Sequence, residues 1–512
     1  MPAEVAIPIA CNKDCIGGCP LLAYVRDGRV TRIGNNRVGS PYMSGCAKGF
    51  QAVKTLYAPD RLTAPLLRTG PRCSGSFKQV SWPEALDLVA GQLADIKARY
   101  GAEAVMRLGG SGSCRGALHN TRSLASRFLA MFGGCTELTS GYSNGAALFV
   151  TPFVLGTFNA GIDAGTLQFS NLIILWGANI SDCRLGSEME ARLLEAKRRG
   201  TPIIAIDPRR TATASHLGTQ WIPVRPGTDS ALMMAVLYVL ITEDLVDAAF
   251  AARYSAGFDG LVQRILGGDG PDGVARTPAW AERICGTPAE TIVALARQYG
   301  RAKPAALLPG LSIQRTIGGE DAIRMAIALQ VATGNLGQPG GSSGAFAQGT
   351  LPPPRVGSIG VPVLAAQPAV PTYRWADAIL GGQAGGYPSD IKAIYNVGGN
   401  YVSQGSDVHK NMRAFEQVEF SVCHDLFLTP TARYCDVVLP VSTSLERQDI
   451  IFTSGNYLLF SNRATKPLPG TRTDYAILAE LAARLGFGRV HRRQRRGGLA
   501  AQLRGRLRNP RL

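Results

Sequence analysis

Two apolar runs, NLIILWGANI (Asn171 to Ile180) and TPIIAIDPRR (Thr201 to Arg210), flank a charged segment of helical period, EMEARLLEAKRRG. Strand, helix and strand in that spacing form a βαβ unit, whose two strands lie parallel in one sheet. Parallel strands are buried on both faces, so a chain carrying this unit is drawn toward an α/β fold with helices covering the sheet. Further strand signals, AIYNVGGN (393 to 400) and FEQVEFSVCHD (415 to 425), imply a second such sheet. The stretch between, 340 to 390, is rich in Gly, Pro and Ala and reads as a long excursion.

Nearer the front, LLAYVRDGRVTRIGN gives two alternating runs joined at Asp27-Gly28, a hairpin signal. Residues 1–60 therefore read as a small β-rich unit. From SWPEALDLVAGQLADIKARYG the period becomes helical, with Ser81 as N-cap, Pro83 near the start and Gly101 as the stop. With 512 residues, 46% of them hydrophobic, the chain can bury a large core in several domains.

The net charge of +17 is unevenly spread, because the last 25 residues hold nine arginines and no acid. More than half of the excess is thus a basic tail, residues 488–512, expected to be disordered. It lacks aromatics that would stack on bases, so nucleic acid is not an expected partner. Eleven cysteines in so long a chain do not form a disulfide framework and suit a reducing compartment. The opening MPAEVAIPIA has no basic n-region and no twin arginine, and no run is long and apolar enough to span a bilayer. The expectation is a cytoplasmic protein; a true N-terminus carrying a twin-arginine leader would instead place it in the periplasm.

CNKDCIGGCP sets Cys11, Cys15 and Cys19 four residues apart, and Cys46 follows in SGCAKGF. Four thiolates in one small region can hold zinc or an iron–sulfur cluster. Zinc ribbons pair their cysteines two and two, whereas three plus one suits a cubane cluster on loops. Lys48, two residues beyond Cys46, is either a solvated cation or a charge balancing an anionic cluster.

The C-x3-C-x3-C set, the fourth cysteine followed by x-Lys-Gly, and APDRLTAPLLR (58 to 68) resemble the start of a molybdopterin oxidoreductase of the dimethyl sulfoxide reductase family. Further blocks follow in the family's order: SWPEALDLVA, GYSNGAALFVTPFVLGT, LIILWGANI, IIAIDPRRT, VRPGTDSALMMA, QVATGNLGQPGG and FLTPTARYCDVVLPVSTSLER. The likeness covers about residues 8 to 487 and is greatest to the anaerobic catalytic subunits. It implies a multidomain α/β fold: an iron–sulfur domain over 1–60, a discontinuous α/β domain over 61–150 and 345–487, and a nucleotide-binding α/β domain over 151–344.

By the same resemblance Cys11, Cys15, Cys19 and Cys46 hold a [4Fe-4S] cluster, with Lys48 on the electron path to the pterin. The cofactor it implies is molybdenum bis(molybdopterin guanine dinucleotide), with Ser143 of GYSNGA as the expected catalytic residue and metal ligand. Gly177, Asn179, Asp207, Arg209, Gly227 and Asp229 are its dinucleotide contacts, each at the end of a strand, where open α/β sheets bind nucleotides. The implied activity is oxygen-atom transfer from a small S-oxide or N-oxide. The implied partners are a ferredoxin-like electron-transfer subunit and a membrane anchor.

In two places the sequence departs from the family. The Tyr-Gly-Trp that some members place beside substrate is absent, and GGSGSCRGALHN (109 to 120) sets Cys114, Arg115 and His119 there. His119 reads equally as a pocket donor or a structural histidine. The likeness also ends near Gly488, before the C-terminal barrel-like domain of the family, so a truncated chain is expected. The alternative function is therefore an iron–sulfur electron-transfer or remnant protein without molybdenum.

Overall fold

The computed structural model describes residues 3–488 apart from 14, 16, 38–40, 111–115, 185, 269–271, 347–358, 365, 366 and 454–456. Cys114, Arg115 and the arginine-rich tail from 489 lie outside the described residues. These fall into two compact units, one drawn from 3–142 and 359–488 and the other from 143–346. Among the described residues no helix is long and apolar enough to cross a membrane.

The first unit opens with an antiparallel meander, Val5–Ala10, Pro20–Arg26 and Arg29–Asn35. Its tight turn places Asp27 and Gly28 at φ 51° and 74°, the two left-handed positions a two-residue hairpin demands. Alternation then buries Leu21, Ala23 and Val25 against Val30, Ile33 and Leu56. A six-stranded sheet follows, in the order Phe77–Gln79, Leu66–Arg68, Val437–Pro440, Phe420–Asp425, Ala393–Val397, Val105–Gly109. Its last four strands are mutually parallel.

Adjacent apolar residues of these strands feed opposite cores, which is why the strands are mostly apolar on both faces, with Arg107, Asn396, Ser421 and His424 as buried exceptions. Val105, Tyr395 and Val422 pack with helices Trp82–Tyr100, Thr121–Phe132 and Asp474–Arg484. Met106, Ile394 and Cys423 face Trp375, Phe415 and Tyr434. Helix Trp82–Tyr100 begins as its sequence predicts, with Ser81 Oγ accepting from Glu84 N–H, and stops at Gly101. Two expectations needed adjustment. Residues 415–417 finish helix Val408–Gln417 rather than opening the strand, and the excursion contains strand Ala369–Pro371 and helix Trp375–Gly381.

The second unit holds the βαβ unit read from sequence: Leu172–Trp176, helix Met189–Arg198 and Ile203–Ile206. Its all-parallel sheet runs Gln220–Ile222, Ile203–Ile206, Leu172–Trp176, Ala305–Pro309. The first strand lies inside; the next two extend to one side of it and the fourth to the other. Strand order therefore reverses between Leu172–Trp176 and Ala305–Pro309, and in open α/β sheets ligands bind beyond the C-terminal ends of the strands at such a point. The outer edge of the fourth strand is capped, Ala305 N–H donating to Asn335 Oδ1 at 2.9 Å and Leu307 N–H to Ser342 Oγ at 3.2 Å.

Candidate functional site

All four strands of the second unit end at one edge, where most of the predicted dinucleotide contacts lie. Gly177 directly follows Leu172–Trp176, at φ 63°, with its N–H donating to the Ile206 carbonyl at 2.8 Å. A Cβ there would lie 2.5 Å from Ser312 Oγ and 2.6 Å from Ile313 Cγ2. Asn179 accepts from Thr213 Oγ1 at 2.7 Å and donates to Asp182 at 2.6 Å. Asp207 Oδ1 accepts from Arg209 N–H at 2.9 Å, and Trp221 Nε1 donates to the Asp207 carbonyl. Arg209 stands on the exposed turn so formed.

Gly227 is exposed at φ 77°, with the Thr316 side chain 3.7 Å from where a Cβ would be. Asp229 opens helix Asp229–Thr242 and is buried, its Oδ1 accepting from Trp176 Nε1 at 2.9 Å. Burial pushes its pKa up, the Trp176 bond works against that, and the charge of Asp207 adds to the rise.

The loop behind the fourth strand, residues 310–319, was not singled out from the sequence. Gly310 N–H donates to the Trp176 carbonyl at 2.8 Å, and a Cβ on Gly310 would sit 1.8 Å from the Gly177 carbonyl oxygen. Two backbones thus touch at the switch point with no side chain between them. Ser312 Oγ donates to that same carbonyl at 2.8 Å. Further along, Arg315 Nε donates to the Ser143 carbonyl at 2.7 Å and Arg315 Nη2 to Ser143 Oγ at 3.0 Å. Gln314 Oε1 accepts from Ala147 N–H at 2.9 Å, in the first turn of helix Gly145–Leu155. Its Nε2 is buried and meets no acceptor among the described residues.

One loop therefore links Ser143, Gly177 and Gly227. Its signal was present in ALLPG followed by SIQR, the same strand-then-glycine pattern that marks ILWGAN. Closely apposed backbones, an exposed hydroxyl and a buried donor lacking an acceptor fit a large phosphate-bearing group that carries a hard metal.

The cysteine set lies in the first unit. Cys11 N–H donates to the Cys19 carbonyl at 2.9 Å, extending the ladder of the first two strands by one bond. Cys46 precedes the short helix Ala47–Phe50, in which Lys48 is exposed. That helix runs beside Cys11, since a Cβ on Gly49 would lie 3.6 Å from Cys11 Sγ. Burial pushes the Cys11 thiol up to about 11, a hydrogen bond from the Lys13 backbone opposes this, and Cys15 and Cys46 add to the rise. Cys15 and Cys46 are thus each close enough to the Cys11 thiol to disfavour its thiolate. Among the described residues no three His, Cys, Asp or Glu side chains are arranged to hold a single metal ion, and every described cysteine is free. Desolvated soft thiolates suit a cationic iron–sulfur core.

His119, also in the first unit, is buried close enough to Asp474 to favour its charged form. It lines a cavity of about 420 Å³ with Leu118, Thr473, Tyr475 and the helix face of Ala476, Ala479 and Glu480. Behind it runs a buried chain: Tyr395 Oη to His424 Nε2 at 2.9 Å, and His424 Nδ1 to Asp474 Oδ1 at 3.0 Å.

A parallel sheet with glycines gathered at the point where strand order reverses is a place where open α/β sheets bind ligands, and a cysteine-bearing β unit precedes it in the chain. The family model of the molybdopterin oxidoreductases matches residues 61–484, and the chain belongs to that family. Among curated relatives, dimethyl sulfoxide reductase DmsA of Escherichia coli (strain K12) is 33% identical over 526 residues, covering 94% of this chain and 64% of that protein. The dimethyl sulfoxide/trimethylamine N-oxide reductase of Rhodobacter capsulatus is 34% identical over 487 residues, covering 85% of this chain and 58% of that one. The chain thus spans less than two thirds of the length of these relatives. Among solved structures, acetylene hydratase from Pelobacter acetylenicus superposes with a TM-score of 0.73 at 21% identity, over 94% of this chain and 70% of that one, a likeness of fold.

Proposed function

We propose that this chain is the molybdenum-binding part of an oxidoreductase that removes the oxygen atom from an S-oxide or N-oxide. The observation that carries the reading is Ser143, an exposed hydroxyl held at the head of helix Gly145–Leu155 by the loop that also meets Gly177 and Gly227. Relatives named for dimethyl sulfoxide and trimethylamine N-oxide support the substrate class. In this reading molybdenum bis(molybdopterin guanine dinucleotide) supplies oxygen-accepting two-electron chemistry and a [4Fe-4S] cluster supplies single-electron transfer.

The chain's own residues hold and shape these groups. Ser143 offers a hard oxygen ligand suited to an oxidised metal. Gly177 and Gly227 let backbone approach phosphate, the exposed Arg209 pairs with it, and Asn179, Asp207 and Asp229 provide polar contacts to the rest of the nucleotide. In region 1–60, Cys11, Cys15, Cys19 and Cys46 bind the cluster and Lys48 offsets its negative charge. Electrons reach it from a ferredoxin-like partner subunit that a membrane anchor holds.

The test is metal analysis of the purified full chain together with reduced-viologen turnover of dimethyl sulfoxide, trimethylamine N-oxide and biotin sulfoxide. Molybdenum with about four irons per chain and turnover of at least one oxide is expected. Iron without molybdenum would refute the oxidoreductase and leave the electron-transfer alternative. Full molybdenum without turnover would refute the substrate class alone.

A further inference from the structure

We infer that Arg315, seated by its neighbour Gln314, is a positioning residue that fixes Ser143 as the protein's ligand to the metal; this rests on the reading of Ser143 given above. A serine on an exposed loop ordinarily samples three staggered rotamers, and its backbone can turn independently of its hydroxyl. Here one guanidinium spans both, Nε taking the carbonyl and Nη2 the hydroxyl oxygen. Two donors in a rigid planar fork fix the peptide orientation and the side-chain rotamer together, which a single ammonium cannot do. A hydroxyl oxygen has two lone pairs, so the bond from Arg315 occupies one and leaves the other for the metal.

Gln314 is the anchor that makes the fork stiff. Its Oε1 accepts from Ala147 N–H, four residues beyond Ser143, so the loop grips the segment at two successive points. The amide cannot be turned over, because an N–H of the helix requires the oxygen. Its Nε2 is therefore committed to its buried place, where the side chain is only 5% exposed and finds no acceptor among the described residues. Buried amide donors are ordinarily satisfied, and an acceptor that the described residues do not offer is one that a bound group supplies beside Ser143. Gln314 and Arg315 sit after the strand Ala305–Pro309, so the fourth strand of the sheet, through its loop, holds the residue on which the first helix of the unit begins.

The test compares Ser143→Ala, Arg315→Gln and Arg315→Lys in the full chain, with two readouts. In metal-free protein, amide hydrogen exchange over 143–147 should accelerate about tenfold in Arg315→Gln, as expected for loss of a charge-assisted bond, with the rest of the second unit unchanged. In molybdenum-loaded protein, X-ray absorption should show an oxygen ligand that Ser143→Ala lacks, that Arg315→Gln loses in part, and that Arg315→Lys partly restores. Unchanged exchange in Arg315→Gln, or a metal spectrum identical to that of the parent chain, would overturn the inference while leaving the proposed function standing. If Ser143→Ala leaves the metal spectrum untouched, the assignment of Ser143 as ligand fails instead. Should Arg315→Gln bind no metal, the exchange measurement still decides.

Discussion

Gly177 and Gly227 provide a matched pair for asking how the strand-end site is built. Both lie at positive φ, 63° and 77°, so alanine at either position meets the same left-handed penalty, about 1–2 kcal/mol. They differ in what surrounds them. At Gly227 the nearest atoms are 3.7 Å away, an ordinary contact, so Gly227→Ala should cost about 1.5 kcal/mol and no more. At Gly177 the new methyl would overlap Ser312 Oγ at 2.5 Å and Ile313 Cγ2 at 2.6 Å. Ser312 must then rotate and abandon its bond to the Gly177 carbonyl, a loss of about 1 kcal/mol. Ile313 is buried and β-branched and cannot turn cheaply, so a total near 3 kcal/mol is expected. In a unit of this size that corresponds to a fall in midpoint of about 6–12 °C for Gly177→Ala and about 3–6 °C for Gly227→Ala. Trp176 and Trp221 both lie in the second unit, and their fluorescence can follow its thermal unfolding. Equal shifts for the two variants, or no shift for Gly177→Ala, would refute the claim that the 310–319 loop packs directly on the Gly177 backbone.

Three further outcomes are expected. Glu446 accepts from Thr443 N–H, Leu468 N–H and the buried Arg61, so Glu446→Gln must face one donor with its own NH2 and leave Arg61 uncompensated. It should lose about 3–5 kcal/mol in denaturant unfolding. Burial works upward on the Asp474 carboxyl, but the His424 bond and the charges of His424 and Arg447 outweigh it and hold the pKa below the ordinary value. A depressed carboxyl stabilises the fold above the ordinary pKa and ceases to do so as pH falls through the depressed one. Unfolding followed between about pH 5 and pH 2 should therefore show an acid loss that Asp474→Asn flattens. Finally, Cys46→Ser should drop iron from about four per chain to below about one, whereas Cys73→Ser, an exposed thiol in the same unit, should leave it unchanged, both read by elemental analysis.

Much of the scaffold was legible because buried parallel strands advertise themselves. LIILW and IIAI are continuous apolar runs and AIYNV nearly so, patterns that do not suit half-exposed strands, and Ser81 and Gly101 bound a helix by local chemistry alone. The end of helix Val408–Gln417 was missed because FEQVEF alternates like a strand, while the chain keeps Phe415 on the helix to pack against Trp375 and Tyr434. At the site, glycines at strand ends could be read directly. The partnership of Arg315 with Ser143 could not, because 172 residues separate them and only the reversal of strand order brings them together. Nor does Asp229 look from sequence like a buried partner of an indole, since a carboxylate at a helix start is ordinarily solvated.

The split of the first unit has a cost in time. Its edge strand Val105–Gly109 finds its only neighbour in the six-stranded sheet at Ala393–Val397, about 280 residues later in synthesis. At roughly 5–20 residues per second, a ribosome takes on the order of 15–60 s to deliver that partner. Through that interval the strand has only its short bridge to Thr136 on one side and lacks its neighbour in the sheet, while the contiguous second unit emerges and can close on itself. Production of this protein should accordingly depend on whatever shields nascent chains.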